Sequence, residues 1–221
     1  MSQQILIIGT GAQAKYALEI FHLREVPVAG LISLPEETLT EKLDGADLLG
    51  NLDNFEDIYL KNRKPYLLLC CSKNKTKEEL GKRLSKYSPG YINAIHPTAV
   101  IARTAVLGHG IIVNSNAVIQ PYASIGNHVM IHAGVIIEHD CVIQDYVNLA
   151  PRVTLAGYVK IGKGATVYTG AVVAPKIEVG EYSVIGAGGV VLANVNDNVT
   201  VAGVPAHVTK TDSHRKKCTR S

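Results

Sequence analysis

The stretch Ile119-Gln120-Pro121-Tyr122-Ala123-Ser124-Ile125-Gly126-Asn127-His128-Val129-Met130-Ile131 decides the fold. A bulky aliphatic residue stands at every sixth position. The pattern runs back through Val113, Leu107 and Ile101 to Ile95. It runs forward through Ile137, Ile143, Leu149 and Leu155 to Ile185 and Val191, and no block breaks it before Asn196. The fifth residue of each block is mostly smaller, as in Ala99, Ala117, Ala123, Val135, Cys141 and Ala165. A period of six fits neither an amphipathic helix nor an alternating strand. A hexapeptide period sustained over this length predicts a parallel β-helix.

The physical reading follows from the period. Each hexad supplies a short strand and a turn, and three hexads close one triangular coil of about 18 residues. Stacked coils lie at the ordinary strand spacing of about 4.8 Å. The head residue of each hexad points inward and stacks on the head of the coil below. The fifth residue faces inward near a corner. A single coil cannot bury its apolar side alone, so stability comes from stacking neighbours.

Before the hexads, Gln4-Ile5-Leu6-Ile7-Ile8 reads as a buried strand. It runs into the turn Gly9-Thr10-Gly11-Ala12-Gln13-Ala14 and then an amphipathic helix over Lys15 to Arg24. Strand, glycine-rich turn and helix open a nucleotide-binding βαβ unit, in which a helix N-terminus faces an anion. The third glycine of the usual motif is replaced by Ala14. Pro27 to Ile32 reads as a second strand. A dinucleotide fold would place an acidic residue after it, but Ser33, Leu34 and Pro35 stand there, which argues against NAD. Glu36 and Glu37 read as a solvated turn. Asp53 to Lys61 is a short helix, Pro65 to Cys71 a third buried strand, and Thr76 to Tyr87 a helix. Ser72 lies at the carboxyl end of that third strand, where open α/β sheets bind ligands.

The predicted organisation is a nucleotide-binding βαβ domain over residues 1–92, a β-helix over 93–208 and a disordered basic tail over 209–221. The first part, at about 90 residues, suits half of a dinucleotide fold. The net charge of +3 is too small to suggest nucleic acid. No apolar run reaches membrane-spanning length and no signal-peptide pattern opens the chain, so a cytoplasmic protein is expected. Cys70, Cys71, Cys141 and Cys218 match no zinc spacing and read as reduced thiols, buried where the chain is apolar.

Four motifs together resemble the NeuD/PglD-type sugar acetyltransferases. They are Gly9-Thr10-Gly11-Ala12-Gln13, then Ile95-His96-Pro97-Thr98-Ala99-Val100, Ile137-Glu138-His139-Asp140-Cys141-Val142-Ile143, and Ala202-Gly203-Val204-Pro205-Ala206. That family includes the UDP-4-amino-sugar N-acetyltransferase of bacillosamine synthesis and the sialic acid O-acetyltransferases. The resemblance covers nearly the whole chain. It implies a left-handed β-helix, a homotrimer, and acetyl-CoA bound between neighbouring prisms, with no metal.

The resemblance further implies that His139 is the general base and that Asp140 tunes it. An imidazole accepts a proton near neutral pH, and a carboxylate fixes its tautomer. Cofactor contacts are implied at Asn148, Gly157, Thr169 and Ala187. Asn148 stands where the family usually has a histidine; its amide still offers a donor but no second base. Gly157 follows His139 by one coil. Contacts to the sugar nucleotide are implied at Gly11, Ala12, Gln13 and Ser72, while the family's acidic pair falls at Ser33 and Leu34. The expected activity is N-acetylation of a nucleotide-linked amino sugar, feeding glycan or polysaccharide synthesis. O-acetylation of a sialic-acid-like sugar and a non-catalytic binding role are the alternatives.

Overall fold

A computed structural model describes residues 4–38 and 41–211. The chain begins with β1 (Ile5–Ile8), α1 (Ala12–Leu23), β2 (Val28–Ser33), β3 (Lys42–Leu43), β4 (Ala46–Asn51), α2 (Phe55–Lys61), β5 (Tyr66–Leu69) and α3 (Asn74–Leu84). These strands form one sheet in the order β3-β4-β2-β1-β5. β1 lies parallel between β2 and β5, as a βαβ unit requires. Its four residues are fully buried, with helices covering both faces. α1 starts directly at the glycine turn, earlier than the hydrophobic pattern alone predicted, and α3 starts at Asn74. The last predicted turn of α3 is a 3₁₀ helix, Ser85–Tyr87.

From Ala94 every hexad gives a two-residue strand, and the strands stack into three parallel sheets. They form the faces of a triangular prism, the left-handed β-helix. Face 1 runs from Val100–Ile101 through Ile136–Ile137 to Val190–Val191. Face 2 runs from Val106–Leu107 through Val142–Ile143 to Glu178–Val179. Face 3 runs from Ala94–Ile95 through Met130–Ile131 and Asn148–Leu149 to Val184–Ile185. Register is kept throughout: Ile131 pairs with Leu149 and Leu149 with Val167, one coil apart. The heads and fifth residues build one continuous aliphatic interior, and Cys141 lies in it. Ser183 is the one polar residue at a fifth position, and its hydroxyl donates to the Gly180 carbonyl at 2.7 Å.

The prism closes on face 3 with Val199–Ala202 and an antiparallel strand, His207–Thr211. The expected disordered tail is therefore corrected at its start: residues 209–211 belong to that strand. Backbone pairing with Val199–Ala202 holds them there although every side chain is exposed. The rest of the tail, with Cys218, lies outside the described residues.

The N-terminal sheet and α1 pack on face 3. Ala94, Ile112 and Met130 share a cluster with Ile5, Ile7, Ala17 and Phe21. α1 descends along the edge between faces 3 and 1: Tyr16 touches His132, and Arg24 donates to the Ile95 carbonyl one residue before the lowest turn. α3 lies over the opposite edge, between faces 2 and 3. There Asn74 Nδ2 donates to the Gly164 carbonyl at 3.0 Å, and Glu78 meets Lys163 at 2.8 Å.

Candidate active site

His139 stands on the edge between faces 1 and 2, in the turn between Ile136–Ile137 and Val142–Ile143. Its Nδ1 lies 2.9 Å from Asp140 Oδ2. An ionised carboxylate only accepts, so Nδ1 carries a proton, and in the neutral imidazole the lone pair falls on Nε2. Asp140 reaches back because it takes a left-handed backbone conformation, φ 58°. Tyr158 packs edge-on against the ring at 5.2 Å. Gly157 lies one coil on, and a methyl group on it would sit 2.7 Å from His139 Cε1 and Nε2. Only glycine leaves the imidazole in this place. The neighbouring Cys141 is no rival nucleophile: it points into the prism, and burial pushes its thiol up to about 11.

Thr169 and Ala187 are exposed and sit one coil apart on the edge between faces 3 and 1, where the Gly188 N–H donates to the Thr169 carbonyl at 2.9 Å. Asn148 lies on face 3 beneath the N-terminal domain, and its Oδ1 is buried without a hydrogen-bond partner. Within one chain, then, His139, Asp140 and Gly157 are brought together. Asn148, Thr169 and Ala187 belong to other parts of the prism.

Gly11, Ala12, Gln13 and Ser72 do converge. They line one cavity of about 470 Å³ at the carboxyl ends of β1 and β5, with Lys73, Thr76 and Arg83 on its α3 side. Gln13 is 3% exposed and its Oε1 has no partner. The reading of Glu37 as a solvated turn is corrected. Its carboxylate accepts from the Thr10 and Leu34 N–H groups at 2.8 Å and from Gly11 N–H at 2.9 Å. An acidic group does lie against the glycine turn, supplied from beyond Pro35 instead of from the end of β2. Glu36 bridges to Lys73 at 2.6 Å beside the same cavity. A carboxylate four residues past a strand end carries no signal in the sequence, because the loop path decides where it lands.

The seam between the domains is polar, which residue patterns on α3 did not disclose. Lys77 is 2% exposed and burial lowers its pKa to about 8. Burial first, then the Lys77 charge, also lowers His132, and burial pushes His128 down to about 3. Burial would raise Glu78, but hydrogen bonds from Lys163, Lys82 and Tyr182 outweigh it and hold the carboxyl at about 2. No helix among the described residues is long and apolar enough to cross a membrane.

A family model, bacterial transferase hexapeptide (six repeats), matches residues 122–157, the stretch that contains His139 and Gly157. No curated protein matches the chain. Among solved structures, the perosamine N-acetyltransferase PerB of Caulobacter crescentus, in complex with CoA and GDP-perosamine, is 29% identical with a TM-score of 0.87. That match covers 94% of this chain and 97% of the other. The acetyltransferase domain of PglB from Neisseria gonorrhoeae, in complex with acetyl coenzyme A, shares the fold at 23% identity. Its TM-score is 0.86, over 94% of this chain and 100% of that one. WeeI from Acinetobacter baumannii shares it at 22% identity and a TM-score of 0.76, over 92% and 98%. The hexads, the prism and this whole-length likeness make the chain similar to acetyltransferase enzymes of the hexapeptide-repeat, left-handed β-helix type.

Proposed function

We propose that the protein transfers the acetyl group of acetyl-CoA to the amino group of a nucleotide-linked amino sugar, as a cytoplasmic homotrimer serving glycan or polysaccharide synthesis. The observation that carries this reading is the His139–Asp140 pair, with Nε2 free and Gly157 clearing space beside it. The 29% identical enzyme that binds CoA and GDP-perosamine supports the substrate class.

The amine nitrogen attacks the thioester carbonyl carbon directly. The new C–N bond forms, His139 Nε2 takes the amine proton, and the imidazolium is steadied by Asp140. The C–S bond then breaks, and the proton passes to the departing CoA sulfur. Gly157, one coil on from the base, offers its backbone N–H to the developing oxyanion. No acyl-enzyme is required. In the nucleotide cavity, Glu37 presents its carboxylate to ribose hydroxyls, and Lys73 and Arg83 meet the diphosphate.

The edges of the prism support the trimer. His139 is on the edge between faces 1 and 2, while the N-terminal domain and its cavity sit on face 3. One chain therefore cannot present its own sugar to its own base by the short route. A neighbouring copy, related by a three-fold axis along the prism, brings its His139 to the α1 edge at the same height. On this arrangement Asn148, Thr169 and Ala187 serve acetyl-CoA across the interface.

The test is release of free CoA from acetyl-CoA with UDP-, GDP- and dTDP-linked amino sugars. Turnover with an amino sugar is expected; release only with a sialic acid would move the reading to O-acetylation, and release with neither would end it. His139→Ala is expected to lower kcat by about two to four orders of magnitude, the usual worth of a general base. Near-normal turnover in that variant would remove His139 from the role.

A further inference from the structure

His139 and Asp140 both stand open to solvent, with side chains 49% and 37% exposed. An exposed ion pair gives little rigidity by itself. The Asp140 carboxylate holds one corner of the imidazole, at Nδ1, and Gly157 leaves the space beside Cε1 and Nε2 clear. Neither keeps the ring from swinging off the edge. A base that strays by about an ångström loses most of its effect, so something else has to confine it.

The next coil supplies the wall. Tyr158 follows Gly157, and its ring stands at 89° to the imidazole with 5.2 Å between centroids. Aromatic pairs favour this perpendicular packing, which adds to the contact area itself. The same residue holds the main chain: Tyr158 N–H donates to the His139 carbonyl at 3.1 Å. Tyr158 thus grips His139 at backbone and side chain together. Its own conformation is strained. It sits at φ 63°, where a bulky side chain is an outlier, whereas Gly134, Gly170 and Gly188 take the matching turn position on the edge between faces 3 and 1. The ring is 50% exposed, so burial does not offset the strain. Strain of this kind collects at functional sites.

We infer that Tyr158 is a positioning residue for His139: its ring confines the imidazole to the rotamer in which Nδ1 meets Asp140 and Nε2 stands over Gly157. The inference rests on the general-base reading of His139 above and deepens it.

Two variants of the full chain separate the ring from its hydroxyl. Tyr158→Phe keeps the ring. Tyr158→Asn removes it with a residue that accepts the left-handed turn, so the prism still folds. The first measurement is the nitrogen NMR spectrum of the neutral imidazole, which distinguishes a proton fixed on Nδ1 from one shared between the two nitrogens. The wild type and Tyr158→Phe are expected to show the proton fixed on Nδ1 of His139. In Tyr158→Asn the two His139 resonances move toward each other, as the ring leaves Asp140 and both tautomers are populated. The second measurement is acetyl transfer to the acceptor selected by the sugar-nucleotide panel. In Tyr158→Asn kcat falls about tenfold while the KM values stay within about twofold, and Tyr158→Phe keeps wild-type turnover. An unshifted spectrum in Tyr158→Asn overturns the inference. A loss confined to KM, or an equal loss in Tyr158→Phe, overturns it as well. If the spectrum shifts as expected while the wild type releases no CoA with any acceptor, the acetyl-transfer reading falls and the confinement of His139 by Tyr158 stands.

Discussion

The prism interior and the seam on face 3 are both buried, yet they are built from opposite materials. The interior is a stack of aliphatic side chains and small fillers, with one hydroxyl that bonds its own turn. The seam holds Lys77, Glu78, Asn74, Asn114, Gln13 and His128, each under one-tenth exposed. Several of the seam's polar atoms have no partner: Gln13 Oε1, Asn74 Oδ1, Asn114 Nδ2, His128 Nδ1 and Asn148 Oδ1. Interiors of the first kind specify a fold at little risk, whereas every unmatched polar group of the second kind costs stability. The seam therefore reads as a region kept for binding and positioning, at some expense in stability.

Substitutions in the two regions break or sharpen this contrast. The largest loss is expected inside the prism: Leu149→Ala, in the column between Ile131 and Val167, removes about 3–5 kcal/mol, read as a shift in the denaturant midpoint. In the seam the opposite sign is expected. Lys77→Met gains about 3 kcal/mol at pH 7, because the wild type keeps a buried ammonium whose pKa is lowered to about 8. The unfolded lysine titrates near 10.5, so the unfolded chain binds more protons between those values. Wild-type stability thus rises with pH across that window, and the advantage of Met shrinks across it. A variant with no gain at pH 7 would show Lys77 to be well compensated.

Glu78→Gln should cost about 2 kcal/mol at pH 7, discounted because Lys82 and Lys163 keep contact with solvent. The sign follows from a carboxyl held at about 2 in the fold against 4.5 when free. The stabilisation is present above 4.5 and disappears as pH falls toward 2, so the two proteins should converge in acid melts. The smallest effect on the fold belongs to the outer edge. Gly157→Ala places a methyl 2.7 Å from His139 Nε2 and pushes the ring aside. Melting should hardly change while kcat falls about tenfold or more, since an ångström of misplacement is enough. Unaltered turnover would show that the base does not need this clearance.

How much of this was legible depends on where side-chain period carries information. The hexads set inward and outward positions at each residue, so the interior, the place of His139 and the stacking of Gly157 over it could be read directly. The gathering of Gly11, Gln13 and Ser72 around one cavity was legible because they lie just past strand ends. Glu37 was not, since its position depends on how the chain turns after Pro35. Lys77 and Glu78 are of residue types seldom buried, and nothing around them in the sequence marked them out. Their burial is a property of two surfaces meeting, which no local pattern in Asn74–Leu84 encodes. The orphaned amide of Asn114 falls in the same class: its hexad position says outward, and only the presence of α1 turns outward into enclosed.

The three-hexad coil also governs how such a chain can change length. Adding one hexad below His139 would turn every later side chain by a third of a revolution and carry His139 to a different edge of the prism. Adding a whole coil would restore every edge and merely raise the base by about 4.8 Å. Insertions that keep the phase preserve the faces, but between α1's contacts and His139 even a whole coil shifts the imidazole by far more than an ångström, so that segment is expected to keep a fixed length.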